Sequence, residues 1–319
     1  MAGTETEGYQ ALHDSAAWLD LAGRGKIIAR GEDRARLLHA MTSNHVEGLR
    51  PGEGCYAFFL NAQGRVLGDV NIFRAADHLL LDTEPETAAK LFAHLDKYII
   101  ADDVALEDAT PEIATVSVEG PNAAAALEAL GAPIPEAPYR HALWNAMTVA
   151  RVDTTGAGGF FLFAPSTEKE SLARRLEAAG LVFASAADAR AVRLENGKPR
   201  YTDDFNEDCL PHETQLLHAV HFNKGCYLGQ EIVERVRSRG HVNRLLVRLA
   251  IEGDQPLSAR TRVTMEGKDA GLVTSSAWSP LAGKVLAFAY VRAEWTAPGT
   301  VVEAGGTLAR VLPLRPPAV

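Results

Sequence analysis

The stretch Lys224-Gly225-Cys226-Tyr227-Leu228-Gly229-Gln230-Glu231 is the most informative part of this chain of 319 residues. It places one of only three cysteines close to a lysine, with glycines before and after the thiol. Leu228, Ile232 and Val236 recur at every fourth position, a spacing typical of the buried face of a helix. The pattern predicts a helix that begins close to Cys226.

The surroundings of Cys226 predict a reactive or ligand-binding thiol. Unpaired N–H groups and the positive end of the helix macrodipole favour an anion at a helix start, and a thiolate is an anion. This location should lower the pKa of the thiol, and Lys224 adds to the effect if its ammonium points the same way. The alternative is a small core residue, since most free cysteines are buried. The polar neighbours favour the reactive thiol.

Length and composition indicate a globular protein with more than one structural unit. A chain of 319 residues exceeds the size at which a single core usually stops growing. Hydrophobic residues make up 47% and charged residues 23%, as in ordinary soluble domains. The net charge of −9 argues against non-specific binding of nucleic acid or anionic lipid by the protein as a whole.

Cysteine usage and the N-terminal residues predict a cytoplasmic protein. Three cysteines without a Cys-x-x-Cys pair argue against a disulfide framework and for a reducing compartment. The first ten residues have neither the basic start nor the apolar core of a secretory signal. Because no apolar run reaches 18 residues, we expect no membrane span.

Positive charge is concentrated around the cysteine motif. Residues 224–248 contain six lysines or arginines against two glutamates, a local charge of +4, so the rest of the chain carries −13. The excess fits either a solvated helix end or an anion site for a cofactor carboxylate or an RNA phosphate.

The first 243 residues alternate strands with helices. Residues 56–60 and 65–73 are β-rich runs joined by Asn61-Ala62-Gln63-Gly64, which predicts a hairpin. Residues 185–188 have the composition of a capping box, and Gly197 ends the helix that follows. Such strand pairs with intervening helices predict α+β units with helices on one face of an antiparallel sheet.

From residue 244 onward the pattern changes to strands alone. Glycine and proline separate six short β-rich runs, at 245–251, 262–265, 271–275, 285–291, 301–302 and 308–311. Short strands in such close succession predict a small barrel. We therefore divide the chain into an α+β region, 1–243, and a C-terminal barrel, 244–319.

Residues 224–231 closely resemble the signature of the YgfZ family, which are folate-binding relatives of the T-protein (aminomethyltransferase) of the glycine cleavage system. That signature is lysine, a small residue, cysteine, an aromatic, a variable residue and then Gly-Gln-Glu. Residues 61–66 resemble the first hairpin of the family, and Arg193-Leu194-Glu195-Asn196-Gly197 is similar to the Arg-Leu-Glu-Ala-Gly stretch of T-proteins. The resemblance therefore covers nearly the whole chain.

The resemblance implies an α+β fold in the form of a ring of three subdomains, two of them ferredoxin-like and the third the C-terminal β-barrel. It implies that tetrahydrofolate binds in the central hole, where Glu195 holds the pterin ring. A carboxylate can accept two parallel N–H bonds from such a ring edge. The alternative for Glu195 is a charge at a helix end. The resemblance suggests further ligand contacts at Asn61, Tyr227, Gly229, Gln230, Glu231 and Arg235.

The chain also departs from the aminomethyltransferases. They carry two adjacent aspartates in the strand after the first hairpin, whereas this chain has Gly68-Asp69. Asp69 is a candidate for the pterin side of the strand, and its alternative is a turn or capping aspartate. A lost acid and a gained thiol both point away from glycine cleavage.

A group of cysteines and histidines falls within 18 residues: Cys209, His212, His218, His221 and Cys226. Their spacing is not a standard zinc pattern, so we predict no stable metal site. Transient ligation of an iron–sulfur cluster by Cys226 fits better, because the resemblance implies a role in that chemistry.

These observations predict a folate-binding protein that supports assembly or repair of iron–sulfur clusters in client enzymes. Cys226, Lys224 and Asp69 are the candidate catalytic residues. The expected partners are folate and iron–sulfur client or assembly proteins, without stable nucleic-acid binding and without a membrane. One alternative is a tetrahydrofolate-dependent aminomethyl or one-carbon transferase, and another is a tRNA modification factor. Whether the protein is an enzyme stays open at this point.

Overall fold

The computed structural model describes residues 5–240 and 242–314. The ends of the two predicted regions, at residues 1–4 and 315–319, lie outside this part, as does residue 241. The chain forms two sheet-containing subdomains and a closed barrel of six strands. This confirms the predicted α+β class and the C-terminal barrel. The division at residue 243 stays a prediction.

Two sheets are built from the first eleven strands. Their bounds are β1 Ala17–Asp20, β2 Gly25–Arg30, β3 Gly54–Leu60, β4 Val66–Arg74, β5 Leu79–Thr83, β6 Ala105–Asp108, β7 Ile113–Glu119, β8 His141–Trp144, β9 Met147–Ala150, β10 Gly159–Pro165 and β11 Val182–Phe183. The first sheet has the order β3-β4-β5-β2-β6 and the second β11-β1-β7-β10-β9-β8. Adjacent strands are antiparallel except β1 and β11.

Some of the helices pack on these two sheets and others pack against the barrel. Their bounds are α1 Glu7–Asp14, α2 Arg34–Met41, α3 Ala88–Asp96, α4 Ala123–Ala129, α5 Lys169–Ala178, α6 Ala186–Asn196, α7 Pro211–Thr214 and α8 Gln230–Arg239, with short 3-10 turns at Ser166–Glu168, Leu217–Ala219 and Ala293–Trp295. Leu38 of α2 and Leu91 of α3 belong to the core of the first sheet, whereas Leu127 of α4 and Leu176 of α5 belong to that of the second. None of these helices, within the described residues, is long and apolar enough to cross a bilayer.

The barrel contains β12 Arg244–Ile251, β13 Arg262–Met265, β14 Lys268–Ser279, β15 Lys284–Arg292, β16 Val301–Ala304 and β17 Thr307–Leu312, closed in the order β12-β15-β14-β13-β16-β17. Alternate residues such as Val247, Leu249 and Ile251 fill its core. Each of the six predicted β runs corresponds to one of these strands.

The inner faces of the two sheets meet across an apolar contact that gives way to a polar region. Phe73 of β4 packs edge-on against Phe163 of β10, with ring centroids 5.3 Å apart. Because side chains alternate along a strand, Asn71 and Asp69 lie on the same face of β4 as Phe73. The inner face of the first sheet therefore changes from apolar at Phe73 to polar at Asp69.

Helix α6 is fixed at both ends by the predicted signals. The Ser185 side chain accepts a hydrogen bond from the Asp188 amide, and the Asp188 carboxylate accepts one from the Ser185 amide, which confirms the capping box. Gly197 ends the helix at φ 71°, a left-handed conformation that favours glycine. The residue after Gly197 is thereby held in a defined place.

A buried ion pair joins α6 to the barrel. Arg193 of α6 is 5% exposed and hydrogen-bonds Asp204 and Asp203. Asp204 also accepts hydrogen bonds from Thr274 and Ser275 of β14. The barrel therefore holds α6 through this carboxylate.

We expect Asp204→Ala to destabilise the protein strongly. The substitution removes a fully buried partner of Arg193 and leaves the guanidinium charge undercompensated, which costs about 3–5 kcal/mol. Urea unfolding followed by circular dichroism measures the loss. The exposed Asp96→Ala variant on α3 is the control and should change the free energy of unfolding by about 0.5 kcal/mol or less. Equal stability of the two variants would contradict the role of this ion pair.

Candidate functional site

Three nearly parallel aromatic rings form a surface where separate parts of the chain meet. Tyr56 of β3 lies between Tyr139, in the loop before β8, and His218, in a 3-10 turn. The Tyr56 centroid is 5.4 Å from that of His218 at 19°, and 6.4 Å from that of Tyr139 at 14°. Tyr139 has φ 61°, a conformation that non-glycine residues rarely adopt. We call these three side chains the aromatic stack.

Asp69 lies next to the central ring of the aromatic stack. Its Oδ2 accepts a hydrogen bond of 2.8 Å from the Tyr56 hydroxyl. Its Oδ1 is buried and has no hydrogen-bond partner among the residues that the structure describes. Burial, with a further contribution from the charge of Glu84, raises the pKa of Asp69 to about 7. At neutral pH the carboxyl can therefore either give or take a proton.

Arg24, whose charge acts on Asp69, forms its hydrogen bonds with other acids. Arg24 donates to both carboxylate oxygens of Asp82 and to Glu84. Asn71 also donates to Asp82, at 2.9 Å. Asp82 thus accepts hydrogen bonds from a guanidinium and an amide, whereas the Asp69 carboxyl accepts one, from the neutral hydroxyl of Tyr56, among the described residues.

Gly68 faces away from the aromatic stack. A Cβ atom at this position would lie 3.0 Å from a methyl carbon of Leu91, in the core between β4 and α3. An aspartate at position 68 would therefore point into an apolar core. In this chain a second carboxylate would not reach the side of β4 that carries Asp69.

Cys226 is exposed, but it does not lie at a helix start. The prediction that a helix begins close to Cys226 is wrong: α8 begins at Gln230, with Gly229 as its N-cap at φ 84°. Gly229 packs so tightly on the hairpin that a Cβ atom would lie 2.7 Å from the Asn61 carbonyl oxygen. The thiol therefore lies on an irregular loop that precedes α8.

Lys224 anchors this loop. Its buried ammonium donates to the carbonyl oxygens of His39, Thr42 and Asn44 at the end of α2. Its Nζ also lies 4.8 Å from the ring centroid of Tyr227. Burial lowers the pKa of Lys224 to about 7. The three hydrogen bonds of the Lys224 ammonium all go to carbonyl oxygens at the end of α2. They do not support the predicted effect of Lys224 on the thiol.

The loop presents Cys226 between two buried anchors. Lys224 and Tyr227 are each 8% exposed, and the amide of Leu228 donates to the Ala40 carbonyl of α2. The same segment continues back to the aromatic stack, because Asn44 donates to the carbonyls of Tyr56 and His218. Residues 218–228 therefore connect the aromatic stack, at His218, to the loop around Cys226. We call residues 224–228 the thiol loop.

Three histidine rings lie close together, and one of them, His39, lies next to Gly225, the residue before the thiol. The His45 ring centroid is 5.0 Å from that of His39 and 5.2 Å from that of His221. Cys209 is buried, whereas Cys226 is exposed. Within residues 5–240 and 242–314, no group of three or more His, Cys, Asp or Glu side chains could hold a metal ion.

Glu195 joins three parts of the molecule. Its Oε1 accepts hydrogen bonds from Tyr9 of α1, at 2.8 Å, and from Ser279 of β14, at 2.5 Å. His13 of α1 contacts its Oε2 at 2.7 Å. The carboxylate is buried and engaged within the protein. The role of Glu195 in pterin binding stays a prediction.

The other predicted ligand contacts lie around the hairpin and α8. The Asn61 side chain accepts from two amides of its own turn, and Gln230 accepts from the Tyr227 amide. Glu231 and Arg235 form an exposed pair of 2.7 Å on α8. These bonds are local, and the ligand roles of Asn61, Tyr227, Gly229, Gln230, Glu231 and Arg235 stay predictions.

Sequence reasoning missed Tyr139 as a functional candidate and placed His218 only in the cysteine–histidine group. Neither residue lies in a motif that a spacing rule could detect. They meet Tyr56 only because loops from different subdomains converge on β3.

Comparison with known proteins matches both parts of the chain. Residues 2–224 match the GCVT N-terminal domain, and residues 244–316 match the glycine cleavage T-protein C-terminal barrel domain. An aminomethyltransferase of Rubrobacter xylanophilus is 31% identical over 306 residues, which cover 92% of this chain and 80% of that protein. A putative chloroplastic transferase of Arabidopsis thaliana is 24% identical, covering 97% of this chain and 72% of that protein.

A solved structure shares the fold. The crystal structure of glycine cleavage system aminomethyltransferase T from Bartonella henselae superposes with a TM-score of 0.89 and 22% identity, covering 98% of this chain and 90% of that chain. At this identity the likeness concerns the fold alone.

We expect Lys224→Met to loosen the thiol loop. The three carbonyls at the end of α2 would lose their buried donor, which lowers the free energy of unfolding by about 2–4 kcal/mol. Limited proteolysis should show faster cleavage within residues 218–228. The exposed Lys268→Met variant is the control and should behave as wild type. Unchanged proteolysis of Lys224→Met would contradict the anchoring role.

We expect the Asp69 carboxyl to make stability depend on pH. Between pH about 4, where an unfolded aspartate ionises, and about 7, the folded protein keeps a proton that the unfolded chain has lost. This group therefore makes stability fall as pH rises through that interval. Asp69→Asn lacks the effect and should gain stability relative to wild type from pH 4 to 7, measured by urea unfolding. Parallel pH profiles would show that Asp69 ionises normally.

Proposed function

The chain belongs to the glycine cleavage T-protein family, and from this premise we propose that it binds a reduced folate against the aromatic stack and transfers a one-carbon unit. The observation that carries the proposal is Asp69, whose buried Oδ1 has no hydrogen-bond partner within residues 5–240 and 242–314 and lies beside three flat rings. Assignment to the YgfZ group within the family rests on the cysteine signature and is part of the proposal.

The residues present fit a pterin. Its flat face matches ring surfaces that stack in an offset manner. Its edge carries N–H groups, which an unpartnered carboxylate oxygen can accept. Asp69 and Tyr56 are already hydrogen-bonded to each other at 2.8 Å, so the acceptor is positioned before a ligand arrives. Tyr56, Tyr139, His218 and Asp69 are the side chains that we expect to contact the ring.

Reduced folate supplies nucleophilic nitrogens that can form a bond to the one-carbon unit as the bond from that carbon to the departing amine breaks. Asp69 can give a proton to an amine that departs from an aminomethyl donor and can take one back afterwards. A general acid that must also act as base works best with a pKa near the working pH, and burial raises the pKa of Asp69 to about 7. Since Gly68 faces the core, this single carboxyl serves both steps.

A second candidate function is support of iron–sulfur clusters through Cys226. It is favoured by the exposed thiol, which is held in place by the buried Lys224 and Tyr227. Cysteine thiolates are the usual ligands of such clusters. Client or assembly proteins would reach the thiol from solvent, while the folate site lies at the other end of residues 218–228.

A direct role on tRNA is not proposed. Arg235 and Arg237 of α8 pair with Glu231 and Glu234 on the same helix, at 2.7 and 3.4 Å. The positive stretch around the cysteine motif is thus partly neutralised within α8. This pairing fits the solvated helix end that the sequence left open.

We expect Asp69→Asn and Tyr139→Ala to weaken tetrahydrofolate binding by about tenfold or more, because each removes a direct contact. Cys226→Ala should bind as wild type, since its side chain lies in the thiol loop. Anaerobic isothermal titration calorimetry measures all four proteins. Wild-type affinity of Asp69→Asn and Tyr139→Ala together would overturn the proposed site.

Turnover separates the two candidate functions. With tetrahydrofolate and an aminomethyl donor, Asp69→Asn should lose activity, whereas Cys226→Ala should keep it. If wild type binds folate but turns over no donor, and Cys226→Ala fails to restore client enzyme activity in a strain lacking the protein, the iron–sulfur function is the correct one.

A further inference from the structure

Glu84 lies beside Asp69 on the inner face of the first sheet. In the ladder between β4 and β5, Asn71 is opposite Asp82, and their side chains are hydrogen-bonded at 2.9 Å. Two residues further toward this end of the ladder, the same register places Asp69 opposite Glu84. The two segments remain in contact there, because the Thr83 hydroxyl donates to the Asp69 carbonyl oxygen at 2.6 Å. Opposite residues on one face have Cβ atoms about 4.5–5.5 Å apart, so the two carboxyl groups are neighbours.

Arg24 supports this placement through its own contacts. Its guanidinium donates to Asp82 through Nε and Nη2 and to the Glu84 Oε1 through Nη1. Because one planar group spans both acids, Glu84 lies on the same face of the sheet as Asp82. That face is also the one that carries Asp69.

Glu84 has the cations that Asp69 lacks. Arg24 donates to its Oε1, and Nη2 of Arg200 lies 2.7 Å from its Oε2. The Glu84 side chain is 11% exposed, so both ion pairs are largely shielded from water. In the described part of the chain Asp69 forms no ion pair, and its Oδ2 accepts from the neutral Tyr56 hydroxyl. The two carboxyl groups therefore differ in how well the protein stabilises a negative charge on them.

Such a pair of carboxyl groups divides one proton unequally. Two neighbouring carboxylates repel each other, and where water is scarce they seldom ionise together. The negative charge stays on the group with the better cations, which is Glu84, and the proton stays on Asp69. The direction agrees with the pKa of Asp69, which burial raises to about 7 with a further contribution from the charge of Glu84.

We propose that Glu84 is a positioning residue of the one-carbon site: as a carboxylate held by two guanidinium groups at the end of β5, it fixes the proton on Asp69. This rests on the proposed transfer reaction. When Asp69 gives its proton to the departing amine, two carboxylates are left side by side, and their repulsion favours the return of a proton to Asp69. That proton is the one displaced from the folate nitrogen as the one-carbon unit binds to it, so none is gained or lost.

Other ionisable groups also face Asp69 from the elements packed around it. These are Arg24 before β2, Tyr56 of β3, Asp82 of β5, and Tyr139 and Tyr201 from loops. The three tyrosines are neutral at pH 7, because burial raises the pKa of each. The charge of Asp82 is paired with Arg24 at 2.8 Å. Removal of the Glu84 charge should therefore act on Asp69 more than removal of another acid.

Infrared difference spectroscopy tests the inference without a ligand. Subtracting the spectrum of Asp69→Asn from that of the same protein with Asp69 intact isolates the C=O band of the protonated Asp69 carboxyl. In wild type this band should be lost near pH 7, whereas in Glu84→Gln it should be lost about one pH unit lower or more. Glutamine keeps the size of the side chain, and its amide oxygen can still accept from a guanidinium. Glu84→Asp keeps the charge and should titrate closer to wild type than Glu84→Gln does.

Glu86→Gln is the matched control. Glu86 also pairs with Arg200, at 3.0 Å, but its side chain is 49% exposed. The variant should leave the Asp69 band as in wild type. If Glu84→Gln titrates as wild type, or if Glu86→Gln shifts the band equally, Glu84 does not fix the proton. If the wild-type band is lost at about pH 4, as for an unfolded aspartate, the inference is wrong whether or not the variants fold.

The pH dependence of one-carbon transfer distinguishes failure of this inference from failure of the proposed function. Transfer by wild type should fall above pH 7 as Asp69 loses its proton, and in Glu84→Gln the fall should begin about one pH unit lower. The expected infrared shifts without any turnover would support the role of Glu84 and overturn the proposed transfer. Turnover with an unshifted profile in Glu84→Gln would support the transfer and overturn the role of Glu84.

Discussion

The site depends on a buried carboxyl group that forms no ion pair with any cation in the described part of the chain. Arg24 gives its hydrogen bonds to Asp82 and Glu84, and Asp69 is left with the hydroxyl of Tyr56. One neutral hydrogen bond does not offset the lost hydration of a carboxylate. Burial therefore raises the pKa of Asp69 to about 7, and the carboxyl keeps its proton below that pH. The cost of burying the carboxylate lowers the stability of the folded protein. The same cost raises the pKa of Asp69, which suits the group to proton transfer.

Hydrogen bonds of Lys224 and Asn44 connect the loop around Cys226 with the aromatic stack. Lys224 ties one end of residues 218–228 to the end of α2, and Asn44 ties the other end to Tyr56 and His218. These hydrogen bonds join the aromatic stack and the loop around Cys226 to one segment of the chain, residues 218–228.

The barrel contributes to the structure by holding α6 in place. Ser275 reaches the Arg193–Asp204 pair, and Ser279 donates to Glu195. Both contacts fix α6, and Glu195 of the same helix also joins α1 through Tyr9 and His13.

Local patterns in the chain were sufficient for the elements whose signals are local: the six strands of the barrel, the hairpin at Asn61 and the capping box of α6. The family resemblance carried by the cysteine motif was likewise readable without coordinates. Tertiary packing decided the rest. The start of α8 is set by the close approach of Gly229 to the hairpin, and the direction of Lys224 by the carbonyls of α2. Tyr56, Tyr139 and His218 come together only through contacts between distant segments, and no spacing rule encodes such contacts.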